Sequence, residues 1–217
     1  METWQTSLRA TAPDPMPSAN TGSTGLRLRV RYLDDPAALA FAGVIRQSLH
    51  CNRRPLIRGL GEADFRSMLD EYFSADGASG VPDNDSGPTF THEGVQEIHA
   101  VDGFEAFDEF DDLVALLLDH RATDDDGERW LACAIATAAM GENHLWQDMG
   151  LPNRAVLSAL MRAHFPTLAA LNVNDMKWKK FFYRQLCERA GVLICKSPHC
   201  ADCCDFRLCF GPEDVAL

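Results

Sequence analysis

Five of the eight cysteines in this 217-residue chain fall between Cys195 and Cys209. The spacing Cys195-x4-Cys200-x2-Cys203-x5-Cys209 puts four soft ligands within 15 residues. Thiolates are the ligands of iron–sulfur clusters and of zinc. Gly191, Pro198 and Gly211 suit a non-helical path around a metal. Lys196 and Arg207 can offset the negative charge of a thiolate-bound cluster. The chain is therefore expected to end in a metal-binding loop; the alternative is a set of free or disulfide-paired thiols. A structural zinc site usually pairs two Cys-x2-Cys knuckles across a longer spacer, whereas unequal compact spacing is also seen in ferredoxin-type runs. Spacing alone leaves the metal open. Spacing does not exclude the register Cys195-x4-Cys200-x3-Cys204-x4-Cys209, but Cys203 is preferred because Cys200-x2-Cys203 is the common chelating loop. Cys51, Cys133 and Cys187 lie scattered in helical segments, where a buried thiol behaves as a small hydrophobe.

Charge is distributed just as unevenly. The whole chain carries −12 at neutral pH, which opposes non-specific binding to nucleic acid. Residues 1–175 hold 13 basic and 27 acidic side chains. Residues 176–209 reverse the balance with seven basic (Lys177, Lys179, Lys180, Arg184, Arg189, Lys196, Arg207) against three acidic. The basic stretch thus surrounds the cysteines and is a candidate contact for an anion or an acidic partner. No apolar run reaches the roughly 18 residues of a membrane-spanning helix, and the first residues lack the apolar stretch of a signal peptide. A cytoplasmic protein with reduced cysteines is expected.

The periodicity predicts an all-α fold: a single helical domain with an irregular C-terminal cysteine-rich metal-binding loop. Residues 1–30 read as a mobile tail, 31–191 as the helical domain and 192–217 as the cluster-binding tail, with a polar loop or insertion at about 74–94. Helices are predicted from Pro36 to His50, with Asp34 or Asp35 as N-cap, and from Glu62 to Phe73. Further helices are predicted over Phe104–His120, Glu128–Met140, Pro152–His164 and Met176–Ala190, the last capped by Asp175. The Glu128–Met140 segment is almost wholly apolar and should be the central buried helix. Pro166 should stop the helix before it, and no period-2 strand stands out. Three lysines at the start of the last helix oppose its dipole. Salt bridges to the acidic body, or a facing anion, would offset them.

Two histidines are accessory ligand candidates. His144 lies in GENHLWQDMGL and His199 adjoins Cys200. For each, a hydrogen-bonded or solvent-facing histidine is the plainer reading. Cys204 reads as a spare, resolving or intermolecular thiol. Trp146, Trp178, Phe181 and Phe182 follow helical spacing and read as core rather than as a stacking surface. His92 and His99, with Glu93 and Glu97, read as a solvated loop before a second metal site. The chain has no Gly-rich phosphate loop, no Gly-x-Ser-x-Gly elbow and no His-Glu-x-x-His helix, so it is expected to carry metal rather than turn over a substrate.

From about Asn143 onward the sequence resembles the NifQ family of nitrogen fixation. The resemblance is carried by HLWQDMGL at 144–151, the helix end Met161 to Phe165-Pro166, MKWKKFFYRQLCERAG at 176–191, and Cys-x4-Cys-x2-Cys-x5-Cys-Phe-Gly at 195–211. The first 100 residues resemble the family only in general helical character. The resemblance implies an iron–sulfur protein holding a molybdenum–iron–sulfur (Mo-Fe-S) cluster. Such a protein would donate molybdenum, which enters as molybdate, for the iron–molybdenum cofactor of nitrogenase, working with the NifEN scaffold and NifH. It implies Cys195, Cys200, Cys203 and Cys209 as ligands and leaves Cys204 as an extra. The rival readings are a helical interaction module with a zinc-stapled tail, and a thiol-redox switch using Cys203 and Cys204.

Overall fold

The computed structural model describes residues 27–76, 90–91, 109–192 and 200–213. Cys195, Lys196, His199, His92, His99, the tail before Arg27 and the start of the helix predicted at Phe104 lie outside the described residues. In chain order the elements are β1 (Arg27–Val30), α1 (Pro36–His50), α2 (Glu62–Tyr72), β2 (Phe73–Asp76), β3 (Phe90–Thr91), α3 (Phe110–Leu118) and α4 (Asp126–Ala139). There follow α5 (Leu145–Asp148), α6 (Arg154–His164), α7 (Pro166–Leu171), α8 (Trp178–Arg189), a 3-10 turn at Cys200–Asp202, and α9 (Phe206–Phe210).

The fold is predominantly helical, and the helix starts follow local chemistry. Asp35 caps α1 by accepting from the Ala37 N–H at 2.9 Å, with Pro36 at the first helical position. Asp125 caps α4 by accepting from the Glu128 N–H at 2.9 Å. The hydrogen bond from Thr123 and the Glu128 amide hold the Asp125 carboxyl below the ordinary aspartate value. A depressed carboxyl adds stability above its unfolded pKa and loses it as the pH falls. Asp125→Ala is therefore expected to lower stability by about 1 kcal/mol at pH 7. The gap from wild type should close in urea titrations repeated below about pH 4; an equal gap at pH 3 would contradict the capping role.

As expected from its composition, α4 is buried along most of its length, from Trp130 and Leu131 to Ala138 and Ala139. Its small alanines let α1, α2, α3 and α5 approach it. Arg129 on α4 grips both carboxylate oxygens of Asp64 on α2, at 3.0 and 2.7 Å. Trp178, Phe181 and Phe182 are buried, their ring centroids 5.8 to 6.3 Å apart. Trp146 packs half-buried against the same core.

Several expectations are corrected. Residues 27–30, read as tail, form the middle strand of a small antiparallel sheet of order β2-β1-β3. Val30 pairs with Phe73 and Leu28 with Phe90. These strands have four, four and two residues, too few to show a period of two. Arg31 secures the edge, donating its backbone N–H to the Tyr72 carbonyl and its guanidinium to the Asp70 and Phe73 carbonyls. Pro166 ends α6 but also opens α7, because proline at the first helical position lacks only an N–H that would be unpaired anyway. Asp175 does not cap the last helix. It has a φ of +52° and accepts from Arg154, while Lys177 takes the N-cap position of α8.

The scattered cysteines divide. Cys133 is core, and burial pushes its thiol up to about 11. Cys187 is half-buried and Cys51 exposed, because Cys51 follows the last turn of α1 rather than lying on its inner face. None of the helices among the described residues is long and apolar enough to cross a membrane.

Candidate metal centre

The cysteine-bearing segment is less irregular than its sequence suggests, and it is tied down at several points. Cys200 opens a 3-10 turn, and its carbonyl accepts from the Cys203 N–H at 3.2 Å. The Cys203 carbonyl accepts in turn from the Phe206 N–H at 3.1 Å, which leads the chain into α9. Cys209 sits in α9, and the stacked rings of Phe206 and Phe210, 4.7 Å apart, stiffen that short helix. Its end is set by Gly211, whose N–H donates to the Arg207 carbonyl at 2.9 Å; a Cβ there would lie 2.4 Å from that oxygen.

Three contacts dock the segment on the helical body. The Cys209 carbonyl accepts from the Lys177 N–H at 2.8 Å, at the start of α8. The Arg184 guanidinium reaches Cys200 Sγ at 3.6 Å and binds Glu188 at 2.7 Å. Arg154 on α6 donates to Glu213 at 3.1 Å, and Glu213 is buried. The same guanidinium holds the Asp175 carboxylate and the Asp175 and Met176 carbonyls at 2.7 to 3.0 Å. Arg154 thus joins the approach to α8 with the end of the cysteine segment. Neither Arg154 nor Glu213 stood out in the sequence, because an Arg–Glu pair separated by 59 residues has no local signature.

Cys200, Cys203 and Cys209 are half-buried, whereas Cys204 is exposed and directs its thiol to Asp205 Oδ1 at 3.7 Å. Among the described residues, no group of three His, Cys, Asp or Glu side chains is close enough to hold a metal ion. The donor chemistry fits a thiophilic centre. Cys195, the fourth cysteine of the expected set, lies outside the described residues. His144 stands at the N-cap of α5, where its backbone N–H donates to Gln147 Oε1 at 3.1 Å.

The basic residues do not act as one set. Arg184 serves Cys200, and Arg207 lies exposed on α9. Lys177 contributes its backbone. Lys179 turns to the protein body, where its ammonium donates to Asp148 at 2.6 Å and to the Gly141 carbonyl at 2.8 Å. Desolvation lowers the Lys179 pKa, and the Asp148 hydrogen bond opposes that. Asp148 also accepts from the Asn143 backbone N–H and side-chain amide at 3.1 and 2.9 Å. Of the two expected ways to offset the helix dipole, Lys179 takes the salt bridge. Lys180 is exposed and lines a cleft that Lys179 also borders.

The NifQ family model matches residues 40–211, which extends the likeness well upstream of the stretches that carry it by eye. Protein NifQ of Azotobacter vinelandii is 49% identical over 106 residues, covering 49% of this chain and 54% of that protein. Protein NifQ of Rhodobacter capsulatus is 48% identical over 85 residues, covering 39% of this chain and 47% of that protein. The NifQ homolog of Sinorhizobium fredii is 46% identical over 99 residues, covering 46% and 43%. The aligned part of the chain therefore spans about half the length of the curated relatives it matches. No solved structure gives a significant match. With the family model reaching from α1 to the glycine that ends α9, this chain belongs to the NifQ family.

Proposed function

We propose that this protein carries molybdenum in a sulfur-bound, iron-containing centre and donates it to the assembly of the iron–molybdenum cofactor of nitrogenase. The observation that carries the reading is the docked segment in which Cys200, Cys203 and Cys209 lie half-buried within one short turn-and-helix unit, with the Arg184 cation at Cys200. Soft thiolate donors favour a reduced, sulfur-rich centre over oxygen-bound molybdate. The bound group supplies the molybdenum to be delivered; the residues that would hold it are Cys200, Cys203 and Cys209 together with Cys195. Arg184 places positive charge beside a site where thiolates concentrate negative charge.

The protein's own part in this role is to hold and to release. Partly exposed cysteines on a short segment suit transfer to an acceptor better than a closed cage does. The acceptors in this reading are the NifEN scaffold and NifH. A carrier of this kind has no turnover chemistry and works in the cytoplasm.

Elemental analysis of anaerobically purified protein tests the reading. Iron, acid-labile sulfide and molybdenum should co-purify with wild type and fall together by at least about half in Cys200→Ser, with the helical circular dichroism unchanged. Zinc near one per chain, with little iron or sulfide, would replace the carrier by a zinc-stapled interaction module.

A further inference from the structure

Away from the cysteines, the fold builds a cleft of about 970 Å³. Its cations come from opposite ends of the sequence: Arg53, Arg54 and Arg58 from the connection between α1 and α2, and Lys179 and Lys180 from the first turn of α8. The acidic side chain among its described lining residues is Glu109. Lys179 is neutralised by Asp148. Among the described residues Arg53, Arg54 and Lys180 make no ion pair with an acid. In a chain of net charge −12, this is a concentration of positive charge that overall composition opposes.

The positions of these groups are set by the fold. The Arg58 backbone N–H donates to Thr137 Oγ1 at 3.0 Å, and its guanidinium lies 4.2 Å from the centre of the Phe110 ring. Arg54 donates to the Arg53 carbonyl at 2.9 Å. Pro55, Ala139, Met140 and Tyr183 complete the walls. Apolar walls strengthen the field of the cations they enclose. Guanidinium groups offer planar paired donors that match the oxygens of a carboxylate, phosphate or other oxyanion.

We propose that this cleft binds a small oxyanion, held by Arg53, Arg54, Arg58 and Lys180, at a site separate from the cysteines. The volume admits the anion with part of its hydration shell. Lys180 and Arg184 stand one turn apart on α8, a rise of about 6 Å, and Arg184 reaches Cys200. One helix, α8, therefore carries both a cation of the cleft and the residue that reaches Cys200. That the anion is molybdate rests on the proposed function; that an oxyanion binds here does not.

The test is calorimetric titration of the full-length protein with molybdate, sulfate and phosphate at low ionic strength. The variants are Arg53→Ala/Arg54→Ala, the exposed charge reversal Arg53→Glu, and Cys200→Ser/Cys203→Ser, each checked by circular dichroism. The arginine variants should weaken molybdate binding at least about tenfold while iron and sulfide content stays as in wild type. The cysteine variant should lose iron yet keep its anion affinity within about twofold, as separate sites require. Molybdate preferred over sulfate and phosphate supports the link to molybdenum. Equal competition by all three keeps the oxyanion site and overturns that link. Wild-type affinity in both arginine variants, or no binding to wild type at millimolar anion, overturns the site. A zinc-loaded protein that still binds the anion through these arginines would overturn the carrier reading and leave the cleft standing.

Discussion

Gly43→Ala is expected to cost about 3 kcal/mol or more, at the upper end of what overpacking a close contact costs. Gly43 lies mid-way along α1, and a Cβ there would sit 1.9 Å from the Met149 carbonyl oxygen, 2.6 Å from its carbon and 2.8 Å from Gly150 Cα. All three obstacles are backbone, so no side chain can rotate out of the way. Gly150 itself has a φ of +63° and meets Gly43 from the other side. The two glycines let α1 and the turn after α5 touch backbone to backbone. In a chain of this size such a loss lowers the melting temperature by about 10 °C. Gly61→Ala is the control, because nothing lies within 4 Å of a Cβ at that position. A Gly43→Ala protein melting within about 2 °C of wild type would show that the contact relaxes at little cost.

Asp148→Ala should be comparably damaging, for an electrostatic reason. Asp148 is 3% exposed and binds the half-buried Lys179 ammonium at 2.6 Å. Removing the carboxylate leaves that charge with the Gly141 carbonyl and strands two Asn143 donors. Breaking a buried pair from one side costs about 3–5 kcal/mol. Lys179→Met in the same background removes the stranded charge and should recover more than 1 kcal/mol. The pH dependence has a definite sign. Burial already lowers the Lys179 pKa, and removing Asp148 takes away the hydrogen bond and charge that oppose that shift. The folded variant then binds fewer protons at Lys179 than the unfolded chain does, so its stability rises as the pH climbs toward the unfolded lysine value of about 10.4. Denaturant midpoints from pH 7 to pH 10 read this directly. A flat difference from wild type, or a loss under about 1 kcal/mol, would remove the pair from the account of stability.

Both substitutions act on the same joint. The Gly43–Gly150 contact positions α5, α5 carries Asp148, and Asp148 holds Lys179 at the start of α8. The first turn of α8 then meets the cysteine segment through the Lys177 N–H and the cleft through Lys180. Damage at the joint should therefore reach both sites.

Much of this was legible from local patterns. The start of α1 at Pro36 and its Asp35 cap follow from residues adjacent in sequence. The burial of α4 follows from its apolar composition, and the aromatic face of α8 from helical spacing. The four-residue α5 and six-residue α7 were not legible, because neither is long enough to display a period. The Lys177 cap was missed because Arg154, 21 residues upstream of Asp175, claims the aspartate that local rules assign to capping.

The sequence by itself determined the family and the spacing of the cysteines. Thiols at fixed spacing, followed by Phe210 and Gly211, are a covalent fact that folding does not alter. It also determined which segments form the longer helices, since capping and periodicity act within a few residues. Tertiary structure alone decided which charges meet. Lys179 and Lys180 are neighbours on α8, yet one is spent on a buried aspartate and the other faces a cleft. Arg53, Arg54 and Arg58 lie over 120 residues away along the chain, in a connection whose charge looks unremarkable in an acidic half. Coulomb interactions depend on distance in space and on the dielectric around the pair, and the packing of α4 on α1 and of α3 on both α4 and α8 sets both.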